Sequence, residues 1–330
     1  MSALGRSTGL SHPGRKRRHN EDAWVCAPPI FAIADGMGGA RGGEIASRVA
    51  ATALGENVDG SGEERVVALI QQANRRVYER ASEDSDASGM GTTITVALFE
   101  DGAVSFGHVG DSRAYLIRDE KLEQLTEDHS LVAELVRSGR LSPEEAEAHP
   151  QRSVITRALG TDPDVDVDSF SIEAKPGDLF LLCSDGLTSM VGDEAILDVT
   201  EQRRDDLDAT AKELVGAANR SGGEDNITVV LFEIAEKGAE PVADTKTMPA
   251  VDEEPPAPAA DDEDTLSGLE GVPAIDTMVV SPEQAKAIAA DVEPEPPKER
   301  FGKRAARLVI ALAIVAALAL LVYWLLGQSR

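Results

Sequence analysis

The sequence predicts an α+β layered fold with antiparallel sheet. Two observations carry this. Short apolar runs rich in β-branched residues recur between turn signals along residues 1–236. Stretches of helical periodicity arrive in pairs and not after every strand, which disfavours a doubly wound parallel sheet. In chain order the strand candidates are 30–34 (IFAIA), 92–99 (TTITVALF), 103–109 (AVSFGHV), 114–118 (AYLIR), 170–172 (FSI), 179–183 (LFLLC) and 226–234 (NITVVLFEI). The helical stretches are 40–57, 64–82, 131–138 and 206–219. Residues 128–160 start as a helix and then carry Pro143 and Pro150 among polar residues, the pattern of an inserted flap that shapes substrate access. No internal repeat is visible.

Composition divides the chain unevenly. Residues 1–236 read as one globular domain. Residues 237–299 hold 16 acidic against 4 basic residues, 10 of the 17 prolines and no aromatic residue, too little apolar surface to offset the entropy of ordering; they are expected to form a disordered acidic linker. Residues 300–307 are a basic juxtamembrane segment, and residues 308–326 (LVIALAIVAALALLVYWLL) are uncharged. As a helix those last residues would span roughly 28 Å, close to the hydrocarbon thickness of a bilayer. Lys298, Arg300, Lys303, Arg304 and Arg307 crowd the N-terminal side of this stretch and only Arg330 lies beyond it. By the positive-inside rule the globular part, with the N-terminus, is expected to stay in the cytoplasm, and the C-terminus outside.

No secretory apolar stretch opens the chain, and Cys26 and Cys183 form no spaced framework, so a reducing compartment is expected. A net charge of −27 argues against a nucleic-acid binder, and the short run Arg15, Lys16, Arg17, Arg18 does not reverse it.

The chemistry sits in a recurring arrangement, an apolar strand that meets an aspartate flanked by glycine or another small residue. It occurs as FAIADGMGG at Asp35, FGHVGDSR at Asp111, LLCSDG at Asp185 and GGEDNITVV at Asp225, with an Asn-Glu-Asp triplet ending at Asp22. One Asp-Gly is a turn. Five carboxylates at the ends of neighbouring strands converge on one cleft, where they stay charged only if cations compensate them. Oxygen-only ligands point to a hard octahedral ion, magnesium or manganese. Two such ions roughly 4 Å apart activate a bridging water and clamp an in-line phosphoryl displacement.

The ordered set Arg17-x-x-Asn20-Glu21-Asp22, Ala34-Asp35-Gly36-Met37-Gly38-Gly39, Gly91-Thr92-Thr93, Gly110-Asp111-Ser112-Arg113, Ser184-Asp185-Gly186 and Asp225-Asn226 resembles the bacterial branch of the metal-dependent type 2C (PPM) serine/threonine protein phosphatases, over residues 7–234. The resemblance implies a four-layer α/β/β/α sandwich with two central antiparallel sheets. It implies that Asp35 bridges two manganese or magnesium ions with help from the Gly36 carbonyl. Asp185 and Asp225 would complete the two sites, and Asp22 and Glu21 would act through coordinated water. Asp111 and Asp185 would hold a third, weaker ion, and Arg17 would bind the substrate phosphate. Catalytic weight then falls on Arg17, Asp35, Asp185 and Asp225, and the expected reaction is hydrolysis of phosphoserine and phosphothreonine in proteins by water, opposing bacterial Ser/Thr kinases at the inner face of the membrane. Met37 stands where eukaryotic members carry a histidine, which leaves the proton donor open between a coordinated water and His108, His129 or His149.

Rival phosphate chemistries lack their residues. The sixth residue after Cys26 is Ala32 and after Cys183 is Ser189, where a cysteine phosphatase needs arginine. The glycine-rich run 36–43 has no following Lys-Ser/Thr. A catalytically idle scaffold that binds phosphoproteins is the alternative from another class, and keeping five clustered carboxylates argues against it. In the linker, Asp244-Thr245, Asp264-Thr265 and Asp276-Thr277 repeat an acidic-threonine pair, the kind of site a kinase could modify and a phosphothreonine reader dock on.

Overall fold

The computed structural model describes residues 2–83, 89–236 and 278–279. The linker threonines and the apolar stretch 308–326 lie outside them. Among the described residues no helix is long and apolar enough to cross a membrane.

Two antiparallel sheets form the centre. One runs in the order β1 (Ser2–His12), β12 (Ile227–Glu236), β11 (Leu179–Cys183), β7 (Arg113–Arg118), β8 (Lys121–Gln124). The other runs β10 (Asp168–Glu173), β6 (Ala103–Val109), β5 (Ile94–Glu100), β3 (Ile30–Met37), β2 (Asp22–Ala27), with β4 (Gly91–Thr92) beside β3. The central strands read as continuous apolar runs because they are covered on both faces. In β12, Val230, Phe232 and Ile234 fill the space between the sheets, whereas Ile227, Val229 and Leu231 pack under helices; β11 divides the same way between Phe180, Leu182 and Leu179, Leu181, Cys183. Phe232 is the hub of the inter-sheet core, its ring 4.1 Å from Phe31 and 4.9 Å from Phe180.

Helices cover both outer faces. α1 (Gly39–Ala53) and α2 (Gly62–Glu83) lie on the sheet that contains β3, and α2 buries Val66, Leu69, Ile70, Ala73 and Val77, a stripe at helical spacing. On the other sheet sit α5 (Asp185–Thr188), α6 (Asp193–Gln202) and α7 (Leu207–Arg220). Asp206 caps α7 by accepting the Ala209 N–H at 2.9 Å. The helix–sheet–sheet–helix layering matches the expected sandwich.

Residues 128–160 do form an excursion, between β8 and β10, containing α3 (Leu131–Arg137), α4 (Pro143–Glu147) and β9 (Val154–Ile155). It has a small apolar centre of its own, Leu131, Leu135, Leu141 and Val154. Ser142 and Glu145 close a reciprocal capping box around Pro143 at the start of α4. β9 pairs in parallel with β13 (Met278–Val279), so one piece of the stretch expected to be linker is strand. Met278, Val279 and Val280 are the longest apolar run in that stretch that ends in β-branched residues, which is the local reason a strand forms there.

Several elements have no counterpart among the sequence candidates, β1, β2 and α6 among them. β1 is rich in serine and glycine and has no apolar alternation; its partner β12 imposes it, through a ladder from Ser2↔Glu236 to His12↔Ile227 with one shift between Leu4 and Ser7. The bidentate pair of Arg6 with Glu233 spans that edge. β2 is made extended by pairing Asp22–Ala27 against β3, and α6 hides in a polar run with few buried positions.

Candidate metal centre

The chain reversals at one end of the sandwich bring the aspartates together. Asp22 opens β2 and Asp35 lies near the end of β3, and the antiparallel register sets them directly opposite each other. β6 runs in the same direction as β3 and delivers Asp111 to the same end. From the second sheet, Asp185 follows β11 at the start of α5, and Asp225 precedes β12. All five predicted aspartates are therefore gathered at the strand ends on one side of the sandwich.

Their electrostatics are strained. Burial pushes the Asp22 carboxyl up to about 7, and the charge on Asp225 adds to this, against hydrogen bonds from Thr228 and Ser184 that oppose it. Asp111 is also pushed up to about 7, by burial and by Asp128, with Arg113 opposing. Asp35 rises well above the carboxylate range through burial and then the charges of Asp22, Asp185, Asp225 and Asp111. Asp185 rises likewise, through burial and then Asp111, Asp225 and Asp22. The charges of Asp22 and Asp185 both act on Asp35, so the three carboxylates stay ionised together only if a cation compensates them.

Three further observations bear on what the cluster accepts. Asp22 is 7% exposed, and while its Oδ2 accepts hydrogen bonds from Ser184 and Thr228, its Oδ1 is buried without a hydrogen-bond donor among the described residues. At Gly36 a Cβ would stand 2.1 Å from the Gly43 carbonyl oxygen and 2.5 Å from that of Glu21, so only glycine lets the backbone follow this path between two carbonyls. Among the described residues no three His, Cys, Asp or Glu side chains gather tightly enough to enclose an ion by themselves. A hard cation here needs carbonyl oxygen and water in addition to carboxylates, and that donor set suits magnesium or manganese.

Neutral side chains fix the scaffold. Asn226 accepts the Glu21 N–H at 2.8 Å and donates to the Pro13 and His19 carbonyls, tying the loop before β2 to the start of β12. The Asp35 N–H donates to the Thr93 hydroxyl, which lies 2.8 Å from the Ser112 hydroxyl; one hydrogen-bonded chain thus links the backbone at Asp35 to the residue after Asp111. Ser47 of α1 donates to the Glu21 carbonyl at 2.6 Å. At Gly186 a Cβ would meet the Asn226 carbonyl oxygen at 2.0 Å, which is why the Asp185 turn can press against the Asp225 loop. The sequence marked Thr93, Ser112, Ser184 and Asn226 as motif members without roles. Thr228 and Ser47 were missed, and for Thr228 the available signal was a polar residue within the apolar first half of the strand.

Arg17 reaches the cluster, with Nη2 donating to Asp225 Oδ2 at 2.8 Å. Glu21 stands between the loop contacts of Asn226 and Asp22. The open side of the site continues into a cleft of about 1060 Å³ whose floor includes Asp111 and Asp185 and whose far wall is the excursion, through Ser130, Val136, Arg152 and Ser153. Across the floor Arg113 grips Asp128 with Nε at 2.9 Å and Nη2 at 2.7 Å.

The histidines are occupied elsewhere. His108 is fully buried, its pKa lowered to about 3 by burial and by His129, and its two ring nitrogens contact the Thr95 hydroxyl and the Glu127 carbonyl. His129 accepts the Gly110 N–H on Nδ1 and therefore donates from Nε2 to Asp168. His149 takes the Gln151 N–H in a turn of the excursion and is not among the residues lining the cleft. These contacts brace loops and give none of the three an approach to a leaving group.

Comparison with known proteins agrees with this geometry. The family model "Protein phosphatase 2C" matches residues 8–220. The chain is 41% identical over 237 residues to the serine/threonine phosphatase stp of Listeria welshimeri, covering 67% of this chain and 92% of that one. It superposes on the crystal structure of the Mycobacterium tuberculosis serine/threonine phosphatase PstP/Ppp with a TM-score of 0.67 and 39% identity, over 70% of this chain and 99% of that chain. A structure of the catalytic domain of PstP in complex with two manganese ions matches with a TM-score of 0.66 and 36% identity, over 72% of this chain and all of that chain.

Proposed function

The chain belongs to the protein phosphatase 2C family, as a metal-dependent serine/threonine protein phosphatase of bacterial type, and from that premise we propose how its own residues carry the reaction. Two manganese or magnesium ions would be held by Asp35, the Gly36 carbonyl, Asp185 and Asp225, with Asp22 and Glu21 contributing through water. Asp111 and Asp185 would hold a third, weaker ion. When bound, the ions activate water for attack on phosphorus and neutralise the charge that develops on the phosphoryl oxygens.

The remaining work falls to the protein. Burial, and then mutual repulsion, raise Asp35 and Asp185, and divalent charge relieves both, so the cluster is pre-organised for cations and unfavourable without them. Ser184 and Thr228 hold Asp22 in one orientation. Arg17, already oriented by Asp225, turns its fork of donors to the substrate phosphate. The cleft between α5 and the excursion receives the peptide around the phosphoresidue. No histidine is placed to protonate the leaving alkoxide, which leaves water in that role.

The observation that carries this reading is the sharing of one locus by Asp22, Asp35 and Asp185 with raised pKa values. Its test is hydrolysis of a phosphothreonine peptide by the purified chain. Turnover is expected with manganese and none with EDTA; a folded, manganese-binding protein that turns over no phosphopeptide would favour the idle scaffold instead.

The organisation beyond residue 236 belongs to the same proposal. Residues 237–299 link the catalytic domain to a membrane helix at 308–326 through the basic segment 300–307, with the domain on the cytoplasmic side, where it opposes Ser/Thr kinases and their targets. The tether keeps the domain close to membrane-bound phosphoproteins. Thr245, Thr265 and Thr277 serve as docking points for a phosphothreonine reader once phosphorylated. Deleting residues 300–330 is expected to move the protein from the membrane to the soluble fraction with kcat unchanged. Loss of intrinsic activity would contradict a purely tethering tail, and linker threonines left unmodified by mass spectrometry after kinase co-expression would remove the docking role.

A further inference from the structure

β9 is a two-residue strand at the wall of the cleft, and its two edges are used differently. One edge is closed within the domain, where Ser130 bridges Ile155 and the Thr156 N–H donates to the His129 carbonyl at 2.9 Å. The other edge carries β13 in parallel register, Met278 opposite Val154 and Val279 opposite Ile155. This contact lies close to the chemistry. Arg152 and Ser153, which lead into β9, line the cleft together with Asp111 and Asp185. Ile155 is buried against Ala158 and Met37, two residues beyond Asp35.

A chain added to this edge runs along the cleft wall towards the Asp35 loop. In a parallel partner, the residue before the one opposite Val154 comes beside Ser153, at the cleft itself. An extended peptide added to a sheet edge gains affinity from main-chain hydrogen bonds and so tolerates varied side chains, as a phosphatase with several substrates requires.

We propose that the edge of β9 paired with β13 is the docking edge for the peptide around a phosphoresidue, and that Met278–Val279 occupies it in cis as a tethered competitor. The proposal rests on the phosphatase reading and adds to it where substrates bind and how the linker restrains the enzyme. Tethering supplies the competitor at an effective concentration of about millimolar, so a weak two-residue contact suffices to compete with micromolar substrate. Among the described residues, hydrogen bonds that hold the carboxylate cluster run to Arg17, Thr93, Ser184 and Thr228, so the restraint acts on peptide binding and leaves the chemistry alone.

The test uses the full chain in detergent and the double substitution Met278→Pro/Val279→Pro, which removes both backbone donors of β13 at positions outside the catalytic domain's core. Amide hydrogen exchange across residues 152–156 is expected to rise, and KM for a phosphothreonine peptide to fall about threefold or more, the loss of one or two net hydrogen bonds of competition. Turnover of p-nitrophenyl phosphate, which has no peptide to dock, is expected to stay within about twofold of the unsubstituted chain. A synthetic peptide of residues 272–284 added to the variant should raise KM again without changing kcat. An unchanged peptide KM, whether or not exchange rises, overturns the proposal. If the unsubstituted chain does not hydrolyse p-nitrophenyl phosphate with manganese, the phosphatase reading itself falls, and the proposal with it.

Discussion

Replacing Asp35 by asparagine is expected to lower kcat/KM for a phosphothreonine peptide by about a thousandfold or more, because the change keeps the shape of the side chain and removes the charge that would bridge the cations in the proposed site. The same substitution has an opposite effect on the metal-free protein. Asp22 and Asp111 are held near 7 when folded, above the ordinary value of 3.8, and Asp35 and Asp185 are raised further in the same direction. A carboxyl raised in this way stabilises the fold below its unfolded pKa, and that contribution is lost as pH rises through the folded value. The metal-free protein is therefore expected to lose thermal stability between about pH 4 and pH 8, by about 5 °C or more, and manganese should restore it at pH 8. Asp35→Asn removes one charge from the cluster. It should flatten that pH profile, raise the metal-free melting temperature at pH 8 and weaken the response to manganese. Calorimetric scans at pH 5 and pH 8, with and without manganese, read all of this. Retained turnover within tenfold of the parent, or an unaltered response to manganese, would remove Asp35 from the bridging role.

Phe232→Ala is expected to be the most destabilising single change in the inter-sheet core, costing about 3–5 kcal/mol. Phe232 is fully buried and stacks on Phe31 from the opposite sheet and on Phe180 from the neighbouring strand, so neither sheet can collapse into the cavity without parting from the other. For a domain of this size that corresponds to a drop in melting temperature of roughly 6–20 °C. Activity at low temperature should survive, because Asp225 and Asn226 at the start of β12 are held by Arg17, Glu21, Pro13 and His19 independently of the core end of the strand. Urea denaturation gives the free energy directly. A cost below about 1 kcal/mol would mean that the two sheets are not locked through this ring.

The sequence by itself determined much of the site. Each aspartate stands beside glycine, serine or a β-strand end, a local signal that survives in one dimension, and the ordered set from Arg17 to Asn226 identifies the family. The strands 94–100, 103–109, 179–183 and 227–236 were legible because strands buried on both faces are apolar throughout, and α2 and α7 because one face alone is buried.

Tertiary structure decided the rest. β1 has little strand propensity and exists because β12 offers it a ladder; β2 is set by its register with β3. The imidazoles of His108 and His129 look free in sequence, yet partners far along the chain, Glu127 and Asp168 among them, take their nitrogens. That Asn226 holds the loop before β2 at three points, that Thr228 and Ser184 share one oxygen of Asp22, and that β13 pairs with β9 at the cleft wall are all contacts across large sequence separations. Local pattern reports propensity and burial at a position; which distant group satisfies a buried donor or completes a sheet edge depends on the closed fold, where every polar group removed from water must find a partner.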